Sequence, residues 1–110
     1  MEKSEKNITG LPMNLKELTA YQQGSIVSRT LVDKKTGTLT LFAFDKGQGL
    51  SEHTAPFDAV IQVLDGAAAV TIDGAVNQVV TGQMIIMPAN IPHSVKAEEP
   101  FKMLLTMIRE

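Results

Sequence analysis

Residues 59–80, AVIQVLDGAAAVTIDGAVNQVV, decide the fold class of this chain. Three short runs rich in Val, Ile and Ala are separated by Asp65-Gly66 and Asp73-Gly74. Asp-Gly pairs supply the positive φ angles that tight hairpin turns need, and β-branched residues favour strands. The stretch therefore predicts consecutive antiparallel strands joined by short turns.

The same pattern continues on both sides of this stretch. Upstream, IVSRTLV (26–32) and TLTLFAF (38–44) flank a polar connector, and downstream FKMLLTMI (101–108) places alternate apolar residues on one face. No long helical pattern lies between these strands, so the sequence predicts an all-β antiparallel barrel or sandwich. One short N-terminal helix is expected, with Asn14 as N-cap and Glu17 three residues later.

Length and composition narrow the class of protein. A chain of 110 residues is the size of one domain, and we expect residues 1–13 to form a mobile N-terminal extension to a barrel domain over 14–110. A net charge of -2 argues against a nucleic-acid partner. No stretch approaches the roughly 18 apolar residues that span a membrane. Without cysteine there is no thiolate chemistry, and a cytoplasmic location is expected.

Two segments contain the only histidines of the chain, and each surrounds its histidine with Gly or Pro at set spacings. They are GQGLSEHTAPFDAVIQVLDG (47–66) and GQMIIMPANIPHSVKA (82–97). Together they resemble the two motifs of the cupin family, with matching positions at Gly47, His53, Gly66, Gly82, Pro88 and His93. The resemblance implies an RmlC-like cupin barrel, also called a double-stranded β-helix or jelly roll, with its site in the barrel mouth.

The motifs depart from the family pattern at the metal ligands. The resemblance implies three His and one Glu, but Ala55 stands at the second His and Ala59 at the Glu, or Val60 in the neighbouring register. A transition metal held by protein generally needs three or more N or O ligands, whereas His53 and His93 supply two. The expected cofactor is therefore none, or a weakly bound Ni, Zn, Fe or Mn ion. The sequence offers three candidate replacement ligands: Glu52, Asp58 and Gln62.

Three functions are compatible with these residues. The first is a small-molecule-binding cupin whose apolar pocket is anchored by His53 and His93 and takes a mostly apolar ligand with one acceptor or anionic group. Its expected walls are methionines together with Ala55, Ala59, Ile61 and Val63. The second is a metal-dependent oxygenase, isomerase or lyase that uses the two histidines as an open metal site. The third is metal-free acid-base catalysis by one histidine.

The strands carry more apolar residues than one barrel interior requires. Residues 39–44, 60–64 and 103–108 are apolar on both faces. A second layer must cover the outer face, and in a chain of this size we expect that layer to be another subunit. The sequence therefore predicts a homodimer.

Overall fold

A computed structural model describes residues 8–109 of the chain. These residues form one 3₁₀ turn, Leu15–Glu17, followed by nine strands. The strands are β1 (Ile26–Lys34), β2 (Gly37–Phe44), β3 (Gly49–His53), β4 (Ala59–Asp65), β5 (Ala67–Ile72), β6 (Ala75–Val80), β7 (Met84–Met87), β8 (His93–Lys96) and β9 (Phe101–Ile108).

The strands form two sheets with a shared core. The five-stranded sheet has the order β1-β2-β9-β4-β7 and the four-stranded sheet the order β3-β8-β5-β6. The pairings in both sheets are antiparallel. Fully buried side chains from both sheets fill the core, among them Phe44, Ile61, Val70, Phe101 and Met103. The all-β antiparallel barrel predicted from the strand pattern is confirmed.

The two Asp-Gly turns within residues 59–80 make different connections. Asp73 and Gly74, with φ of 50° and 82°, form the expected hairpin turn between β5 and β6. At Gly66 the chain instead crosses from one sheet to the other, as it does again at Gly82, so the hairpin expected at Gly66 is wrong. Gly66 is required at its crossing because its φ is +83° and an added Cβ would lie 2.6 Å from the Pro100 carbonyl oxygen.

The N-terminal helix is shorter than the capping pattern suggests. Glu17 N–H donates to the Asn14 carbonyl oxygen at 3.0 Å, but the Asn14 side chain makes no capping bond to the backbone. A run this short does not recover the cost of helix nucleation, and it stops as one 3₁₀ turn. Among residues 8–109, no helix is long and apolar enough to span a membrane.

The N-terminal segment covers part of the outer face of the five-stranded sheet. Leu31, Leu41 and Leu104 form a buried cluster there, against which Ile8, Leu15 and Leu18 pack. The Lys102 ammonium, on the central strand β9, donates to the carbonyl oxygens of Lys16 and Thr19 and lies 5.0 Å from the Tyr21 ring centre. The chain itself therefore supplies part of the layer that we expected from a subunit. Residues 1–7 of the predicted mobile extension lie outside the described residues.

A second line of outward side chains, apolar except for one threonine, is only partly covered within residues 8–109. Strand register places one residue from each strand of the five-stranded sheet in a continuous line, which we call the outer apolar row: Ile86, Val60, Thr106, Leu39 and Val32. Its two ends are the most accessible, with Ile86 52% and Val32 36% exposed.

Candidate functional site

His93 is placed by a loop with a proline at each end. Pro88 follows β7, and Pro92 precedes the first residue of β8. The fixed φ of proline narrows the path of this loop. The Asp73 N–H anchors its end by donating to the Pro92 carbonyl oxygen at 2.9 Å. His93 is consequently held inside the barrel, where it is only 5% exposed.

His53 occupies the neighbouring strand end. It is the last residue of β3, beyond an irregularity in the β3–β8 register between Leu50 and His53. That register brings His53 directly opposite His93, and the His53 side chain is exposed at the mouth of the barrel. The ring centres lie 4.5 Å apart with planes at 71°. The two imidazoles are therefore close enough to contact one bound group.

Hydrogen bonds to the backbone define the tautomer of both rings. His53 Nδ1 lies 2.8 Å from the Ser51 carbonyl oxygen, and His93 Nδ1 lies 3.1 Å from the Ile91 carbonyl oxygen. A carbonyl oxygen only accepts hydrogen bonds, so each Nδ1 carries the proton and donates it. A neutral imidazole holds one ring proton, which leaves each Nε2 with a free lone pair.

A cavity of about 50 Å³ lies beside the histidine pair, between the two sheets. Apart from the imidazoles, its walls are aliphatic or thioether side chains: Leu50, Ala55, Ala59, Ile61, Met87, Val95, Met103, Leu105 and Met107. The cavity is therefore lined by two imidazole rings and otherwise by apolar surface.

Three of the four predicted wall residues line this cavity. Ala55, Ala59 and Ile61 face it, whereas Val63 lies outside the lining, in the core at 1% exposure. Val63 shares the inward face of β4 with Ile61, but it is one further step along the strand and away from the histidines.

The three candidate replacement ligands lie elsewhere. The Asp58 carboxylate accepts the Ala89 N–H at 2.9 Å and lines a groove with Pro56 and Phe57 rather than the cavity. Gln62 is exposed on the face of β4 opposite Ile61, and Glu52 lines a separate groove along β3 and β8. Within residues 8–109, no group of three His, Cys, Asp or Glu side chains could hold a metal ion.

This arrangement of motifs and strands is matched by a known family. The family profile described as Cupin domain matches residues 40–108, which include both histidine segments. The chain belongs to the cupin family. This agrees with the resemblance carried by the two motifs.

Solved cupin-like structures resemble this cupin over most of its length. A conserved protein of unknown function from Streptococcus pyogenes is 39% identical, with a TM-score of 0.88, over 92% of this chain and 89% of that chain. A cupin 2 conserved barrel domain protein from Leptotrichia buccalis is 46% identical, with a TM-score of 0.86, over 88% of this chain and 47% of that longer chain. No curated protein matches this cupin in sequence.

The residues of this cupin do not form the ligand set for a divalent metal, three His and one Glu, that the family resemblance implies. Ala55 and Ala59 face the cavity at the two positions where that set has a His and a Glu, and a methyl group binds no metal. Asn90 ties the loop before β8 to the segment that follows β3. It has a left-handed φ of 65° and donates its N–H to the Ala55 carbonyl oxygen at 2.7 Å. Asn tolerates this region better than most residues.

Sequence reasoning did not assign individual methionines to the cavity. The alternation of β9 is sufficient to place Met103 and Met107 on one face with Leu105. Met87 is harder to place, because it reaches the cavity only through the pairing of β7 with β4.

Proposed function

We propose that this cupin binds a small, largely apolar molecule that carries a hydroxyl group. The observation that supports this proposal is the cavity itself, whose walls are aliphatic and thioether side chains and whose polar groups are the imidazoles of His53 and His93. Ligand pockets are typically apolar with a few placed polar groups that orient the ligand.

The tautomer of the histidine pair determines which polar group the ligand should carry. Both Nδ1–H groups are engaged by backbone carbonyls, so each Nε2 is an acceptor. An acceptor pairs with a donor, such as a hydroxyl, and leaves an ether oxygen or a carboxylate without a partner. The polarity is therefore the reverse of the acceptor or anionic group expected from sequence.

The size of the cavity restricts the enclosed part of the ligand. An apolar cavity of about 150 Å³ holds a benzene ring, and this one measures about 50 Å³. A short aliphatic chain fits inside it, and a longer ligand would extend through the mouth past the exposed ring of His53.

Three probes of similar size test this function: 1-butanol, methyl propyl ether and butyrate. Ligand-observed and amide NMR titrations should show 1-butanol bound at the cavity residues, with an affinity about fivefold above that of the ether, because a neutral hydrogen bond contributes about 1 kcal/mol. Butyrate should bind most weakly. Substitution of both histidines, His53→Leu with His93→Leu, should remove the alcohol preference, and Gln62→Leu, on the outer face of β4, should leave it unchanged.

The titrations have two outcomes that would contradict the proposal. The absence of shifts at cavity residues with each of the three probes would show that the cavity does not take small apolar molecules. Binding of the ether as tightly as the alcohol would show that the imidazoles do not act as acceptors.

A further inference from the structure

Two methionines are the strand partners of Ala59, the position where the family resemblance expects a carboxylate. Ala59 on β4 pairs with Met87 on β7 and with Met107 on β9. Directly paired residues of antiparallel strands project from the same face of a sheet. Both methionines line the same cavity as the histidines, so two thioethers flank the alanine in place of one oxygen ligand.

The histidines are held in the form that a metal ligand requires. Metal-binding histidines almost always donate the other ring N–H to a carboxylate, a backbone carbonyl or water, which orients the ring and leaves one lone pair for the metal. His53 makes this bond to the Ser51 carbonyl oxygen of its own strand at 2.8 Å, and His93 makes it to the Ile91 carbonyl oxygen of the loop before β8 at 3.1 Å. Each ring therefore keeps a free Nε2 lone pair, and both rings line the cavity that the methionines also line.

We propose that this cavity binds a monovalent copper ion, Cu(I), through the Nε2 atoms of His53 and His93 and the thioether sulfur of Met87, Met107 or both. Thioethers are soft ligands that select Cu(I), and imidazole also suits copper. The apolar walls favour a monovalent ion over a divalent one, because the cost of removing an ion from water rises steeply with its charge. The inference does not rest on the proposed organic ligand, which would compete for the same space.

The outward methionine of β7 provides a matched control for the two cavity methionines. Met84 lies three residues before Met87 and is 54% exposed on the opposite face of the strand. Leucine is close to methionine in volume, so Met→Leu changes are well tolerated in a core while they remove the sulfur.

The test is an anaerobic titration of chelator-treated protein with Cu(I) in competition with bicinchoninate, alongside Zn(II) and Ni(II). We expect one equivalent of Cu(I), bound at least about tenfold more tightly than either divalent ion. The combined Met87→Leu and Met107→Leu protein should lose at least about tenfold in Cu(I) affinity, in the range that disturbing a metal site costs. Met84→Leu, outside the cavity, should match the unmodified protein.

X-ray absorption at the copper edge reads the ligands of the unmodified protein directly. The chain contains no cysteine, so a sulfur shell around the bound copper can only come from methionine. A shell of nitrogen and oxygen alone, or Zn(II) binding as tight as Cu(I), would overturn the inference. These readouts do not involve an organic ligand, so a failed butanol titration leaves them intact.

Discussion

His53 and His93 are direct cross-strand partners, and each donates its Nδ1–H to the carbonyl oxygen two residues earlier in the chain. The two rings therefore make the same hydrogen bond to the backbone, and their centres lie 4.5 Å apart. The Nε2 lone pair of each ring takes no part in that bond. The polarity of the site is determined by the backbone, because no side-chain hydroxyl or carboxylate takes part in these two bonds.

The shared tautomer is directly measurable. The chain contains two histidines, so a long-range ¹H–¹⁵N spectrum of the imidazoles should contain two ring systems, both with a protonated Nδ1 and an unprotonated Nε2 at a pH where they are neutral. A protonated Nε2 on either ring would contradict the backbone bonds and the expected preference for donor ligands.

Filling the cavity should stabilise the protein and block it. Ala59 is 3% exposed and faces the cavity between two methionines. Ala59→Val adds two buried carbons, and we expect it to raise the free energy of unfolding by about 1 kcal/mol while abolishing butanol binding. Ala59→Phe should instead destabilise the fold through overpacking, because a benzyl group exceeds the space available. Urea denaturation measures both; a destabilised Ala59→Val protein would mean that the cavity is already filled.

Restoring the family ligands should create a divalent-metal site. Ala55 and Ala59 line the same cavity as the histidine pair, so Ala55→His combined with Ala59→Glu assembles three imidazoles and one carboxylate there. We expect Ni(II) or Zn(II) binding by calorimetry that exceeds the weak binding of the unmodified protein by at least about tenfold. No gain would show that the two positions do not converge on the histidines.

The outer apolar row should be the interface of a homodimer. Ile86 and Val32 at its ends are accessible, and of the row only Leu39 adjoins the cluster on which the N-terminal segment packs. A charge placed within an apolar interface costs more than the contacts it replaces. Light scattering at micromolar concentration should give a dimer for the unmodified protein and a monomer for Ile86→Lys. Val76→Lys, at a position 69% exposed on the other sheet, is the control that should stay dimeric. A monomeric unmodified protein would refute the dimer.

The only tyrosine reports on how the N-terminal segment is attached. Burial of Tyr21, followed by its hydrogen bond to the Asp65 carboxylate and the charge of that carboxylate, raises the pKa of the phenol above its ordinary value. The folded state therefore keeps the phenol proton at pH values where the unfolded chain, with a pKa of about 10, has lost it. The stabilisation is complete below that pH and is lost as the pH rises further.

Ultraviolet absorbance follows this titration cleanly, because the chain has one tyrosine and no tryptophan. Asp65→Asn should lower the Tyr21 pKa only part of the way, since burial, the largest cause, remains. Asp73→Asn, in the β5–β6 turn, should leave the titration unchanged. Ionisation of Tyr21 in the ordinary range would mean that the segment is not packed against Asp65.

Local pattern predicted the strands well and their partners less well. Gly66 and Gly74 have nearly the same φ, 83° and 82°, yet the first carries the chain between sheets and the second closes a hairpin. The difference lies in which distant strand each segment meets, and an Asp-Gly pair carries no information about that. The N-terminal layer over Leu41 and Leu104 was missed for the same reason.

The candidate site shows the same contrast between features that the local sequence predicts and features that depend on distant strands. The motif spacing was sufficient to place His53, Ala55, Ala59 and His93 around one cavity. The neighbours of Ala59 depend on the register of β4 with β7 and β9, and the imidazole tautomer depends on where two carbonyl groups point. Neither relationship can be deduced from residue type, so the sequence predicted which residues share a cavity but not their hydrogen bonds and neighbours.

The location of β9 at the centre of the five-stranded sheet has a consequence for biosynthesis. Phe101–Ile108 joins β2 to β4, although it is made after both. Until these residues leave the ribosome, β2 and β4 each expose an unpaired backbone edge, the feature by which immature chains associate wrongly. The sheet can therefore close only after β9 has been made, through pairings between segments distant in the chain, and such closures are slow. Stalled or truncated chains that lack β9 should be the form that most needs a chaperone.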